Sequence, residues 1–217
     1  MKKIFIFGLV ISILAGCVPK KTEKTENVTP KDIPAFNADS AYVYVRDQVI
    51  FGPRVPNTEA HKKCAVYLAS RLKSFGADVT EQRATLTAFN GDVLQAVNII
   101  GTYNPQAERR VLLFAHWDSR PWSDNDPDKA NHSKPVDGAN DGASGVGVLL
   151  EMARQFGLKN PDIGVDIIFF DAEDYGAPQN YEGNSADAWC LGSQYWAKTP
   201  HVPGYTANYG VLLDMVG

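Results

Sequence analysis

The chain has 217 residues, with 21 Lys and Arg against 25 Asp and Glu, which gives a formal net charge of -4. Hydrophobic residues make up 44% of the sequence and charged residues 21%, a balance that excludes an intrinsically disordered protein. The slight acidity argues against a nucleic-acid-binding protein, because contacts with phosphates require a clustered basic surface. The length favours one globular domain.

The first residues have the features of an export signal. Lys2 and Lys3 precede an apolar run over residues 4–14, which is shorter than the roughly 20 residues of a transmembrane helix. The sequence Leu14-Ala15-Gly16-Cys17 resembles the lipobox of bacterial lipoproteins; the alternative is an ordinary cleaved signal with a chance cysteine. We expect a signal peptide over residues 1–16 and a lipid on Cys17. The protein would then be an exported bacterial lipoprotein, anchored to a membrane and facing the periplasm or the cell surface.

Residues 17–38 are rich in Lys, Thr, Glu and Pro and contain few large apolar side chains. We expect a flexible tether here, because such a segment cannot bury enough surface to fold. The folded domain is then expected over residues 39–217. Two further cysteines, Cys64 and Cys190, lie in this domain, and the sequence leaves open whether they form a disulfide or remain free thiols.

The predicted elements of the domain begin with a helix. Asn57 and Thr58 supply capping side chains, apolar residues follow at helical spacing, and Gly76 fits the end of the helix. Strand patterns follow over residues 79–89 and 93–103. Continuous apolar runs, typical of strands covered on both faces, extend over residues 110–115, 165–170 and 210–213. Helices are expected between these runs, over residues 143–156 and 191–198. This alternation predicts an α/β fold whose central sheet is mixed but mostly parallel, with helices on both faces.

Acidic and imidazole side chains follow the predicted buried strands, where α/β proteins bind their ligands. His116 and Asp118 follow the first of these strands, residues 171–174 follow the second, and Asp214 follows the third. Asp141 precedes the intervening helix. Carboxylates that converge at one edge of a sheet repel one another unless a cation balances them. Carboxylate and imidazole ligands suit zinc, so the pattern predicts a zinc site.

Each of these features taken alone is commonly structural. An Asp-Gly pair such as Asp141-Gly142 is usually a simple turn, and adjacent acidic residues such as Glu173 and Asp174 usually end an exposed loop. Their occurrence together at successive strand ends favours an active site. One of the two adjacent carboxylates can then bind the metal while the other transfers protons.

Five motifs occur in a fixed order within the region from about residue 42 onward. They are His116-x-Asp118-Ser119, residues 138–145, residues 170–174, Leu191-Gly192-Ser193 and residues 213–217. This set resembles the zinc aminopeptidase and glutaminyl cyclase superfamily, which implies the three-layer sandwich of zinc-dependent exopeptidases. Within that superfamily, residues 116–122 and residues 189–193 are similar to bacterial glutaminyl-peptide cyclotransferases.

The resemblance implies a role for each matching residue. Asp141 and Asp174 take the positions of zinc ligands, although many relatives have Glu at the position of Asp174. Glu173 takes the position of the proton-transferring glutamate, and Asp214 that of an aspartate that holds the proton-transfer network. The third zinc ligand of the family is a histidine further along the sequence than Gly217, so we expect the catalytic domain over 39–217 to be incomplete at its C-terminus.

The resemblance also implies an activity that uses one zinc ion. N-terminal glutamine of peptides or proteins would be cyclised to pyroglutamate with release of ammonia. Trp117, Trp122 and Trp189 are expected to bind the substrate and exclude water, whereas Trp196 is expected to pack in the core. The expected partners are peptides with N-terminal glutamine, with no nucleic acid and with a membrane only through the lipid anchor.

Two alternatives remain open. In a two-zinc aminopeptidase, His116 and Asp214 would bind a second zinc, and Glu173 would activate water against the first peptide bond. The other alternative is a non-catalytic surface lipoprotein fragment that only binds peptides.

Overall fold

The computed structural model describes residues 33–178, 181–183, 185 and 187–217. The predicted signal peptide and Cys17 lie outside these residues, as does the tether up to residue 32. Ile33–Gly217 form one compact unit. None of the described helices is both long and apolar enough to cross a membrane.

The described residues contain four α-helices and five strands. The helices are α1 (Ala38–Val49), α2 (Glu59–Ser74), α3 (Ala143–Leu158) and α4 (Leu191–Lys198). The strands are β1 (Asp78–Thr87), β2 (Val93–Tyr103), β3 (Arg110–His116), β4 (Gly164–Phe170) and β5 (Tyr209–Leu212). All eight elements predicted from the sequence are present, with ends shifted by a few residues. Thr58 caps α2 through a hydrogen bond from the His61 amide, as its side chain predicts.

The five strands form one mixed sheet in the order β1-β2-β4-β3-β5. β3 runs parallel to both of its neighbours, β4 and β5, whereas β1 pairs with β2 and β2 with β4 in antiparallel fashion. The α/β class and the mixed sheet are confirmed. The sheet is less parallel than expected because β1 and β2 form a hairpin at one edge, closed by the turn at Gly91, which has φ 89°.

Helices cover both faces of the sheet. On one face, α1, α2 and α3 pack with β2, β3 and β4 around buried residues such as Leu68, Leu149 and Ile167. On the other face, Trp196 of α4 packs against a smaller cluster that includes Ile100 and Ile168. Trp196 is half-buried and packs against this cluster, consistent with the packing role predicted for it, and the protein has the three layers expected of the fold.

Two features differ from the sequence analysis. The run over 210–213 was expected to be covered on both faces, but within the described residues β5 is the last strand of the sheet order, beside β3, and its four residues are exposed. The first helix, α1, was not identified, because one of its buried residues is the polar Gln48. Just before it, Ala35 and Asn37 of the predicted tether form hydrogen bonds with side chains of α3.

Candidate active site

Three parallel strands bring the predicted polar residues to one edge of the sheet. His116 is the last residue of β3 and lies opposite Phe170, the last residue of β4, so residues 171–174 emerge beside it. Phe114 of β3 pairs with Leu212 of β5, so Asp214 emerges at the same edge. The expected convergence of His116, Glu173, Asp174 and Asp214 follows from this register.

The most compact group is formed by His116, Asp141 and Asp214. His116 Nε2 lies 2.8 Å from Asp141 Oδ1 and 3.7 Å from Asp214 Oδ1. One donor atom from each of the three residues lies within 4.8 Å of the other two. On its other side, the buried His116 Nδ1 has no hydrogen-bond partner among the described residues, although Asp118 Oδ1 lies 3.4 Å away. An imidazole and two carboxylates around one point are donors that fit a zinc ion.

The charges at this edge of the sheet also favour a bound cation. Burial opposes protonation of His116, but the neighbouring carboxylates of Asp118 and Asp141 outweigh it, so the pKa of His116 lies well above its ordinary value. The hydrogen bond with His116 lowers the pKa of Asp141. Burial, followed by the charges of Asp118 and Asp141, raises the pKa of Glu173, and the same effects raise that of Asp174 to about 8. So many carboxyl groups in one place favour a divalent cation.

Asp118 organises the turn that carries Glu173 and Asp174. Its side chain is fully buried, and its two oxygens accept hydrogen bonds from the backbone amides of Glu173 and Asp174, both at 3.0 Å. The sequence placed Asp118 at the site but predicted no role for it. Because both contacts go to backbone groups of a distant segment, residue type alone could not reveal them.

A buried histidine, His61, forms a hydrogen bond with Asp171, the first residue of the same turn. Asp171 accepts hydrogen bonds from His61 Nε2 at 2.9 Å, from the Val97 amide at 2.6 Å and from the Ala172 amide at 2.7 Å. His61 in turn stacks on Trp117, with 4.4 Å between ring centroids. His61 was not predicted from the sequence, where its only signal is that of a polar residue on the buried face of α2.

The prediction that Trp117 lines a substrate pocket is wrong. Its ring is fully buried, it belongs to the main core, and its Nε1 donates a hydrogen bond to the Val97 carbonyl. The other two predicted walls lie closer to the surface. The Arg120 guanidinium stacks between Trp122 and Trp189, at 5.5 and 4.7 Å from their ring centroids, and Trp189 is 37% exposed. Their role in substrate binding stays a prediction.

Arg120 joins these aromatic rings to the predicted zinc ligand Asp174. It forms a bidentate ion pair with Asp124, donates a hydrogen bond to the Asp174 carbonyl at 3.2 Å and lies 3.5 Å from Asp174 Oδ1. The structure does not group Asp174 with the other three donors, so its role as a ligand stays a prediction.

Arg54 is a second supporting residue that could not be predicted from the sequence. It is fully buried and donates hydrogen bonds to the backbone carbonyls of Trp117, Asp137 and Gly138. These bonds fix the segment that leads to Asp141. The next residue, Gly142, has φ 87°, and a Cβ atom there would lie 2.7 Å from the Asp118 carbonyl oxygen, so the segment requires glycine.

The segment after β5 is tied to the same loop. Ser144 Oγ accepts a hydrogen bond from the Val216 amide at 3.0 Å, and Asn140 Oδ1 accepts one from the Gly217 amide at 2.9 Å. These bonds hold the backbone around Asp214 next to Asp141. The sequence left open whether Cys64 and Cys190 form a disulfide. In the structure both are free thiols.

Comparison with known proteins identifies the family. The model of peptidase family M28 matches residues 98–217, which is more than half of the chain and includes every site residue described above except Arg54 and His61. The chain belongs to peptidase family M28. Its fold agrees with that of zinc-dependent exopeptidases, and the expected superfamily is confirmed.

Several solved structures and curated proteins are similar to this chain. A Zn-dependent exopeptidase from Parabacteroides distasonis is 66% identical, with a TM-score of 0.84 over 85% of this chain and 63% of that protein. Glutaminyl cyclase from Bacteroides thetaiotaomicron, solved with bound N-acetylhistamine, is 61% identical, with a TM-score of 0.84 over 86% of this chain and 64% of that protein. The bovine (Bos taurus) glutaminyl-peptide cyclotransferase is 33% identical over 185 residues, which cover 76% of this chain and 48% of that protein.

The chain thus spans about half the length of the bovine relative and less than two thirds of the two solved structures. The family resemblance and the grouping of His116, Asp141 and Asp214 together support zinc as the metal of this site.

Proposed function

We propose that the protein is a zinc-dependent glutaminyl-peptide cyclotransferase that converts N-terminal glutamine of peptides and proteins into pyroglutamate and ammonia. The observation that carries this proposal is Glu173, a carboxyl group with a raised pKa beside the imidazole and carboxylate donors of the metal site. Similarity to glutaminyl cyclases supports the choice of reaction.

In the proposed reaction, Asp141 and Asp174 would hold one zinc ion, as the family resemblance implies, and the neighbouring His116 and Asp214 would serve in hydrogen bonding. When bound, zinc supplies a Lewis acid that polarises the γ-carbonyl group of the glutamine side chain. Arg120 orients Asp174 through its contacts with the backbone and side chain of that residue. Arg54 and Gly142 fix the loop on which Asp141 lies.

Glu173 moves the proton. The α-amino nitrogen forms a bond to the side-chain amide carbon, Cδ, and the bond from that carbon to the amide nitrogen breaks. Glu173 accepts the proton that the attacking amine loses and donates it to the departing nitrogen, which leaves as ammonia. Burial, which raises the pKa of Glu173, suits a group that must both accept and donate a proton. Asp214, 3.7 Å from His116, keeps the proton-transfer network oriented.

Water must be kept from the side-chain amide carbon, because hydrolysis would give glutamate instead of pyroglutamate. We propose that the half-buried rings of Trp122 and Trp189 form apolar walls for the substrate, with Trp189 the more exposed of the two. Arg120, stacked between these rings, would keep them in place.

Ammonia release from a peptide with N-terminal glutamine, measured with the full natural chain, tests this function. Glu173→Gln should lower kcat by at least about a hundredfold while zinc content stays unchanged, because general acid-base catalysis contributes about 10²–10⁴-fold. Glu108→Gln, the same change at an exposed loop position, is the matched control and should retain full turnover. Undiminished ammonia release by the Glu173→Gln protein would refute the proposal.

A two-zinc aminopeptidase is the second candidate, favoured by the grouping of His116, Asp141 and Asp214. In that enzyme His116 and Asp214 would bind a second zinc. Two zinc ions per chain together with release of free N-terminal amino acids would support it over the cyclase. Peptide binding with neither activity would support a non-catalytic surface lipoprotein.

We also propose that the protein is exported and held on a membrane through a lipid on Cys17. The support is the lipobox-like sequence that ends at Cys17 and the apolar run before it.

A further inference from the structure

The side chain of Cys190 lies against the proposed proton-transferring residue. Its Sγ atom is 3.2 Å from Glu173 Oε1, within hydrogen-bond distance for sulfur. His116 Nδ1, which faces the other oxygen of Glu173, is 3.8 Å from it and too far for a hydrogen bond. The thiol is therefore well placed to orient this carboxyl group.

The backbone holds the thiol in this position. The amides of Cys190, Leu191 and Gly192 donate hydrogen bonds to the carbonyls of Glu173, Ala172 and Asp171, each at 3.0 Å. The start of α4 is thus paired, residue by residue, with the turn that carries Glu173. A Cβ atom at Gly192 would clash with the Asp171 carbonyl, so the two segments are in direct contact.

Cys190 adopts an unusual conformation for its residue type. Its φ of 57° lies in the left-handed region, where glycine and asparagine are the common residues. A side chain held there at a cost in conformational energy is a reason to look for a functional contact. The contact that this conformation provides is the one between Sγ and Glu173 Oε1.

The thiol of Cys190 is protonated and can therefore donate a hydrogen bond. Burial, followed by the negative charge of Glu173, raises the pKa of Cys190 to about 12, so the group is protonated near neutral pH. A thiol is a weak donor and a carboxylate is a strong acceptor. The hydrogen bond therefore restrains the orientation of the carboxylate, which keeps its negative charge.

We propose that Cys190 is a positioning residue, whose thiol donates a hydrogen bond to Glu173 Oε1 and holds that carboxyl group in the orientation that proton transfer requires. This proposal rests on the proposed function of Glu173. Cys190 would act through Glu173 and would touch neither the substrate nor the metal.

Steady-state kinetics of the full natural chain with a glutamine peptide test the proposal. Cys190→Ala removes the donor, and Cys190→Gly removes it without strain at a positive φ, so at least one of the two is expected to fold. Both should lower kcat about fivefold, the scale of a hydrogen bond from a weak donor to a charged group, with KM within twofold of the wild type. Cys190→Ser keeps a donor and should restore most of kcat.

Ser193→Ala is the matched control. Ser193 also lies in the first turn of α4, and its hydroxyl bonds to the Cys190 carbonyl instead of to Glu173. It should leave kcat unchanged, and every variant that folds should keep the zinc content of the wild type. Unchanged kcat in both Cys190→Ala and Cys190→Gly would overturn the proposal, as would an equal loss in Ser193→Ala.

A second measurement does not depend on turnover. The rate of alkylation of Cys190 by iodoacetamide, followed by mass spectrometry of its peptide, should rise at least threefold in Glu173→Gln and stay unchanged in Glu108→Gln. Equal rates in the wild type and in Glu173→Gln would overturn the contact. A wild-type protein that releases no ammonia but shows this difference would refute the proposed function and leave the contact between Cys190 and Glu173 supported.

Discussion

Replacement of Arg54 by methionine should destabilise the protein strongly, because the guanidinium group is fully buried and donates to three backbone carbonyls. Each buried acceptor left without a donor costs about 1–3 kcal/mol. The Gly138 carbonyl keeps a second donor, the Ala143 amide, so two carbonyls would lose their donor at a cost of about 2–6 kcal/mol. We expect the lower part of this range, about 2–4 kcal/mol, because water can enter the space that the guanidinium group leaves. The affected carbonyls precede Asp141, so zinc affinity should fall as well.

The free energy of unfolding, measured by urea denaturation, checks this value, and competition with a chelator dye checks zinc affinity. Arg83→Met is the matched control, because the Arg83 side chain is 71% exposed and pairs with its neighbour Glu81 on the surface. It should change the free energy of unfolding by less than about 0.5 kcal/mol. A loss below about 1 kcal/mol in Arg54→Met would refute the reasoning that these carbonyls depend on Arg54.

Three further predictions concern the metal site and the export signal. Asp141→Asn should lower zinc affinity at least about tenfold in the same chelator competition, because it removes a charged donor; unchanged affinity would exclude Asp141 as a ligand. Gly142→Ala should cost at least about 1 kcal/mol of unfolding free energy, because φ is 87° and Cβ would lie 2.7 Å from the Asp118 carbonyl; a neutral effect would contradict the tight turn. Cys17→Ala should abolish incorporation of labelled palmitate in cells, and persistent labelling would refute the lipid anchor.

The sequence could predict those site residues that have metal-binding or acid-base side chains and lie directly at the end of a predicted strand. His116, Glu173 and Asp214 each end or follow an apolar run that forms a strand, and parallel strands bring such ends to one edge. The location of those three residues at the site could therefore be predicted without knowledge of tertiary contacts. Glycine at position 142 was visible only as part of an Asp-Gly turn, and its close approach to Asp118 emerged from the structure.

The supporting residues could not be predicted because their partners are distant backbone groups. Arg54 bonds to carbonyls 63 and 84 residues away, and His61 bonds to a carboxylate 110 residues away. Trp117 was misassigned for a related reason: it follows a strand next to the site, but its side chain turns into the core. An alternating or apolar pattern identifies an element, but it does not show which neighbour a polar or aromatic residue on that element will contact.

The central claim is that Glu173 serves the cyclisation of N-terminal glutamine. Mass spectrometry of a peptide with N-terminal glutamine, after incubation with the full natural chain and zinc, tests it most directly. We predict a peptide of unchanged length that has lost one ammonia, formed by the wild type and not by Glu173→Gln. A shortened peptide together with free glutamine would contradict the claim and support an aminopeptidase.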